Sequence, residues 1–260
     1  MDRSKLESLS AMLDQIDRLP KERTMPRRVP YPDLPKGKSS SAKRQRQWLS
    51  LLWSIESAAE SGKHGLKGLT VALGRIIVAR ELEDFVLNAE EHHKPPQDVE
   101  DLLWDERLPL NAAGQSMLDL MRKLPRAPSV EMSETAIFPS PWERWRLFAA
   151  IGGLGQGRPW GPWKQDRNHR AVAWKPWPVV WVDNGNHSTM AALVRGGGKL
   201  KCKEAFDFTP VLEAVRTDGI TWTRADDGSE IGPVRSIPMA GIFLIGQHLA
   251  GIAKIQSPED

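Results

Sequence analysis

One short stretch of the chain combines residue types that can hold and process an anion. Pro178-Val179-Val180-Trp181-Val182-Asp183 runs into Asn184-Gly185-Asn186-His187-Ser188, and Thr189-Met190-Ala191-Ala192-Leu193-Val194 follows. The first segment is apolar enough for a strand buried on both faces. The last suits a helix, and Gly196-Gly197-Gly198 stops it. A tight turn between them opens the helix at its first, unpaired amides, where the dipole favours negative charge. Gly185 lets a phosphate approach the backbone closely. Asn184, Asn186, His187 and Ser188 add side-chain donors, and imidazoles titrate near neutrality.

A second polar cluster precedes the adjoining strand. Trp163-Lys164-Gln165-Asp166-Arg167-Asn168-His169 leads into a short strand over 170–174. Asp166, Asn168 and His169 are expected to converge on the same pocket. Asp166 and Asp183 together can hold a hydrated Mg²⁺ against phosphates. A plainer reading stands beside this one. Asp, Asn, Gly and Ser are ordinary strand-to-helix connectors, and Asn186 and His187 can simply hydrogen-bond the loop. The convergence of the two clusters favours a ligand site. Cys202 lies beyond the helix on an alternating segment that reads as a half-buried strand.

Val182-Asp183-Asn184-Gly185-Asn186-His187-Ser188, ahead of a small-residue helix, resembles the phosphate-binding turn of the ParB/sulfiredoxin superfamily. Members place a Gly-x-x-Arg or Gly-x-His-Arg turn after a strand and bind a nucleotide there. The resemblance covers residues 139–198, with the tail completing the same domain. Two positions depart from the pattern. Asn186 stands where sulfiredoxin has its catalytic cysteine, which argues against sulfinic-acid reduction. Ser188 stands where the superfamily usually has arginine, which removes a bidentate phosphate clamp. Arg158, Lys164 and Arg167 are the candidates to replace it. Within the superfamily the chain is similar to the plasmid fertility-inhibition branch (Osa/FiwA-like), in its long helical extension and lone turn.

The resemblance implies binding of ATP (or CTP) with Mg²⁺, and hydrolysis of ATP or DNA phosphodiesters. Asn184, Gly185, Asn186, His187, Ser188 and Lys164 would contact the nucleotide. His187, His169 and Asp166 would be catalytic, one histidine positioning or activating water. Asp166 and Asp183 would hold the metal. The implied role is competition between plasmids by fertility inhibition of conjugation. Implied partners are DNA and a type IV secretion or plasmid transfer protein. Two alternatives remain. The chain is a non-catalytic module that blocks a secretion or replication component, with its linker and tryptophans as contact surface. Or it binds DNA through its basic segment over 36–46.

Elements must position these residues, and composition limits which ones can. The chain has 260 residues, 40% apolar and 27% charged, a soluble globular balance. Its single cysteine excludes a disulfide framework and a cysteine zinc cluster. The longest apolar stretch, 237–252, contains Gln247 and His248 and is short for a bilayer, so no membrane span is expected. The charged start, Met1-Asp2-Arg3-Ser4-Lys5, does not suit a signal peptide, and a cytoplasmic location is expected. Net charge is only +3, but residues 17–46 carry ten bases against three acids. Residues 80–107 reverse this, with ten acids against three bases. Seven of the eleven tryptophans lie between 142 and 181, a density that marks a packed core or a stacking surface, with packing preferred.

The expected fold class is α+β. An N-terminal helix over 1–19 and a basic, Pro-rich linker over 20–42 lead into a helical module over 43–138. A ParB/sulfiredoxin-like domain with a small mixed sheet occupies 139–256. In the module, Trp48, Leu51, Leu52 and Ile55 recur at helical spacing, as do Leu66, Leu69, Leu73 and Ile77, with Gly62 and Gly65 as the turn between. Short helices are expected from Val99 and from Met117 to Leu124. His92-His93 reads as a solvated helix end. Ser140-Pro141-Trp142-Glu143 reads as a capped helix start, with Trp142, Trp145 and Phe148 on one face. The glycine-rich stretch over 152–158 follows a helix and lacks a P-loop lysine, so it reads as a connector. A hairpin around Asp226-Asp227-Gly228 and a final apolar helix from Pro238 complete the chain.

Overall fold

The computed structural model describes residues 34–35, 39–87 and 99–252. The helix expected over 1–19, most of the basic linker and His92-His93 lie outside them.

Helix α1 (Ser40–Ala59) begins where Ser39 accepts a hydrogen bond from the Ala42 amide, so the linker yields to helix earlier than position 42. Helix α2 (Gly62–Leu87) follows at once. Gly65, expected in the turn, is inside α2. A Cβ there would collide with the Ala58 carbonyl, so the glycine serves the close approach of the two helices. Both helices pack against α8 (Ile237–Leu249), the last described element. Leu66, Leu73, Ile77 and Phe85 supply the buried stripe of α2. Burying each such side chain contributes about 1.5–3 kcal/mol.

Between these helices run α3 (Val99–Leu102), α4 (Met117–Leu120), β1 (Arg122–Lys123), β2 (Ser129–Glu131) and β3 (Ala136–Phe138). The helix expected to reach Leu124 stops at Leu120, because Leu124 donates its amide to Ala205 in the sheet. Then come α5 (Arg144–Gly153), β4 (Arg170–Lys175), β5 (Val179–Asn184) and α6 (Asn186–Val194). The chain continues through β6 (Lys199–Lys201), β7 (Glu204–Asp207), α7 (Thr209–Ala214), β8 (Val215–Thr217), β9 (Thr221–Arg224) and β10 (Glu230–Pro233).

The main sheet has the order β1-β7-β4-β5-β3. It is mixed: β3 and β5 are parallel, β5 and β4 antiparallel, β4 and β7 parallel. Strand β5 is buried on both faces, as its unbroken apolar run requires. Val179 and Trp181 join the larger core with α1, α2 and α8, while Val180 and Val182 join a second core with Ala192 and Leu200. The expected boundary at 139 runs through this architecture. Strands β1 and β3 precede it yet belong to the main sheet, and α2 packs on β3. The architecture is α+β with mixed sheets.

Packing explains many of the tryptophans. Trp104, Trp174, Trp177, Trp181 and Trp222 are buried. Trp174 stacks on Phe208 with centroids 4.4 Å apart. Such pairs add about 0.5–1.5 kcal/mol beyond burial. Trp145 and Trp160 differ, at 65% and 58% exposed. No described helix is long and apolar enough to cross a membrane.

Candidate functional site

The C-terminal end of β5 delivers Asp183 and Asn184 to the turn, and Gly185 makes it. Its backbone is left-handed, at φ 83°, which disfavours any side chain. Its missing Cβ also makes room for an imidazole: a Cβ would lie 2.6 Å from His169 Cδ2. Thr189 donates to the Gly185 carbonyl at 3.0 Å, the first bond of α6. The amides of Asn186, His187 and Ser188 therefore have no intrahelical acceptor.

The side chains of Asn186 and His187 turn back to the segment before α5. Asn186 Oδ1 accepts the Ser140 amide at 2.9 Å, and His187 Nε2 accepts the Glu143 amide at 3.0 Å. Both residues are buried. These two clips hold residues 140–143 extended, so α5 starts at Arg144 with Glu143 as its cap residue, not at the expected Ser140 cap. As an acceptor, Nε2 assigns the ring proton to Nδ1. Burial, and secondarily Arg146, hold the His187 pKa below its ordinary value, against a smaller opposing pull from Glu143. The one lone pair of this neutral imidazole is committed to Glu143. His187 therefore has a fastening role here, and no free basic nitrogen for the general-base role expected of it.

His169 is placed differently. Its Nδ1 lies 2.8 Å from Asp166 Oδ1, and its Nε2 lies 2.6 Å from Ser188 Oγ. The ring is almost enclosed, with Trp163 edge-on at 5.1 Å, while the Asp166 carboxylate is exposed. The Asn168 amide, chiefly, holds the Asp166 carboxyl below the usual range against desolvation, with smaller help from His169. Ser188 Oγ also lies 3.1 Å from the Gly185 carbonyl. Gln165 fixes the loop by bonding both ways with Lys201 on β6, at 2.8 and 2.7 Å. The Asp166 amide also donates to His169 Nδ1 at 3.1 Å, and Ser188 Oγ donates to the Gly185 carbonyl. Carboxylate, imidazole and hydroxyl thus form a chain that can draw a proton from the serine in the tautomer that carries the proton on Nδ1.

Asp183 does not join Asp166. Its carboxyl is pushed up by partial burial, and its charged neighbours are Arg170, Glu204 and Lys203. Asp166 is already bonded to Asn168 and His169. Among the described residues no group of three or more His, Cys, Asp or Glu side chains is placed to hold a metal. Neither aspartate is among the charged neighbours that shift the other, and no step is routed through a metal. Burial pushes the Cys202 thiol up to about 11, which leaves it inert as a nucleophile.

The turn opens into a cleft of about 490 Å³. Asn184, Gly185, Asn186, His187 and Ser188 form one wall. Trp142, Trp145, Arg146, Ala149 and Ala150 from the α5 side, with Trp160 and Asn168, line the rest. Arg146 pairs with Glu143 at 2.6 Å, and its guanidinium lies over the Trp145 ring, 5.4 Å from the centroid. Lys164 is exposed and does not line this cleft, and Arg158 is bonded to the Gly152 carbonyl at 2.8 Å. Among the described residues that line the cleft the cation is Arg146, which the sequence reading did not single out. Nor did it single out Trp160. The signal for Arg146 was its exposed position beside Trp145 on α5, visible only once Leu147 and Ala150 are known to face inward.

A family of unknown function, DUF6710, matches residues 36–256, and the chain belongs to it. No curated protein and no solved structure matches the chain.

Proposed function

We propose that the chain binds a nucleotide in the cleft between α5 and the turn at 184–188, and cleaves a phosphoester bond there. One observation carries the reading. The cleft joins an anion-binding turn, a cation and two exposed indoles. Free amides at the start of α6 receive phosphate, Arg146 pairs with it, and Trp145 or Trp160 offers a face on which a base stacks. The strand, left-handed glycine and helix support the likeness to the ParB/sulfiredoxin turn, with Arg146 in place of the arginine missing at Ser188.

The cleavage step uses Ser188 and His169. Ser188 Oγ attacks phosphorus while its proton passes to His169 Nε2. Asp166 holds the resulting imidazolium by its Nδ1 proton. The bond from phosphorus to the leaving oxygen breaks, and that oxygen takes the proton from Nε2. Water then releases the phosphoserine by the reverse route. The α6 amides offset charge on the phosphoryl oxygens. The substrate class is ATP, CTP or a DNA phosphodiester, and the biological role is competition between plasmids. Equilibrium dialysis with labelled ATP and CTP tests the reading. Saturable uptake that is lost in Arg146→Ala supports it, and no uptake by the folded chain overturns it.

A second reading draws on Trp145 and Phe148, which stand one turn apart on the solvent side of α5. They suit a non-catalytic docking surface for a protein partner. A stable protein complex that is insensitive to nucleotide would favour it.

A further inference from the structure

Lys43, Arg44 and Arg46, from the described end of the basic segment, reach a second cleft, which the nucleotide reading does not use. This cleft, of about 580 Å³, lies among α1, α2 and the approach to α8. Lys43, Arg44 and Arg46 come from α1, Arg80 from α2, and Arg235 from the link between β10 and α8. Among the described residues no acidic side chain lines it. Five cations from three separate parts of the chain thus converge on one concavity. Solvated charges repel and spread unless something favours their approach.

Three of the five are held by backbone carbonyls. Arg44 donates to Gly219 and Val234, Arg46 to Pro35 at 3.1 Å, and Arg235 to the Glu100 carbonyl at 2.9 Å. A guanidinium has five N–H donors, so Arg44 and Arg235 keep donors beyond these bonds. For Arg44 and Arg235 the acceptors are neutral carbonyls, which orient the guanidinium without cancelling its charge. Asp218 is close enough to feel Arg44, but it does not line the cleft. Lys43 and Arg80 are exposed. The floor is apolar, from Leu51, Leu73, Ile237 and Pro238.

We infer that this cleft binds the phosphodiester backbone of single-stranded nucleic acid. Four of the five cations are arginines, whose planar forks match phosphate oxygens. The excess of bases over acids continues along the chain through residues 17–46, which suits a linear polyanion better than one compact anion. A single strand can follow a concave channel, whereas a duplex presents a stiff convex cylinder. Among the described residues no aromatic side chain lines the cleft, and the proposed recognition is of the backbone, which carries no base sequence.

The test is fluorescence anisotropy of a fluorescein-labelled oligothymidylate with the full chain, in nucleotide-free buffer. Because no ATP or CTP is present, the outcome does not depend on the first cleft. The Lys43→Ala, Arg80→Ala double variant should bind at least about tenfold more weakly. Its salt dependence should flatten by about 1.4 in the log–log slope, about 0.7 for each lost phosphate contact. Lys63 and Lys67, also exposed on α2 but outside the cleft, give the charge-matched control Lys63→Ala, Lys67→Ala, which should retain affinity. Circular dichroism checks that both variants fold. No saturable binding by the wild type overturns the inference. So does equal weakening in the control, or none in the cleft variant. Tripolyphosphate or polyglutamate competing as well as unlabelled oligothymidylate, at equal charge, also overturns it, by making the site one for short phosphates or acidic peptides.

Discussion

The imidazole of His169 occupies the space that a side chain at position 185 would need. A Cβ on Gly185 would stand 2.6 Å from His169 Cδ2, on a backbone already at φ 83°. The glycine that shapes the turn therefore also seats the His169 ring. Gly185→Ala should destabilise the fold by about 1–3 kcal/mol through backbone strain alone. It should also push His169 away from Ser188. Thermal unfolding measures the first effect. Loss of phosphoester cleavage beyond that caused by unfolding measures the second.

The chain from Asp166 through His169 to Ser188 makes a chemical prediction that does not depend on knowing the substrate. Diisopropyl fluorophosphate should phosphorylate Ser188, with loss of fluoride, and peptide mass mapping should locate the adduct. Ser188→Ala should abolish it. His169→Ala should slow it by about 10²–10⁴-fold, the usual worth of a positioned base. Labelling elsewhere, or labelling indifferent to His169, would reduce the chain of bonds to a structural pin.

The clips at Asn186 and His187 predict a stability effect with a definite sign. The His187 pKa is held below its ordinary 6.5, so the folded state binds fewer protons there than the unfolded chain. The stability this adds is full above that ordinary value and is lost as pH falls from it through the folded pKa. His187→Gln, which keeps an acceptor for Glu143, should flatten this slope. Asn186→Ala should cost about 1–3 kcal/mol by leaving the Ser140 amide unpaired. Denaturant melts across acidic pH check both.

A buried carboxyl far from the chemistry predicts the opposite slope. Glu81 is 3% exposed, and its carboxyl oxygens lack a hydrogen-bond partner among the described residues. Burial, and to a smaller extent Asp84, push its pKa up to about 8. The folded state holds a proton that the unfolded chain releases near 4.5, so stability is full below that pH and falls as pH rises through about 8. Glu81→Gln should raise the melting temperature at pH above about 8 and change it little near pH 4. An unchanged melting temperature at high pH would contradict this.

Much of the turn was legible in the sequence, because its causes are local. The apolar run of β5, the glycine and the small-residue helix each follow from neighbours within a few positions. The convergence of Asp166 and His169 on Ser188 was partly legible, since β4, which follows the first pair, and β5, which precedes the serine, lie where the apolar pattern puts them. What Asn186 and His187 hold was not. Their partners, Ser140 and Glu143, are 46 and 44 residues away, and the sequence reading assigned Ser140 to a helix cap instead. The Asp166–Asp183 pair failed for a similar reason, as register on β5 sets Asp183 among Arg170, Lys203 and Glu204. The second cleft was half legible. Its α1 cations stand in one basic run, while Arg80 and Arg235 reach it only through the packing of α2 and α8.

The central claim is that the cleft at Gly185 takes a nucleotide, with phosphate on the turn and base on an indole. Calorimetric titration of the full chain with ATP and with CTP, beside Trp160→Ala and Arg146→Ala, tests it most directly. Saturable binding of at least one nucleotide should weaken by about tenfold on loss of the Trp160 ring, a stacking contribution of about 1–3 kcal/mol. Arg146→Ala should weaken inorganic triphosphate and nucleotide alike. A folded wild-type chain that binds neither nucleotide, or binds with affinity indifferent to both variants, would contradict the account.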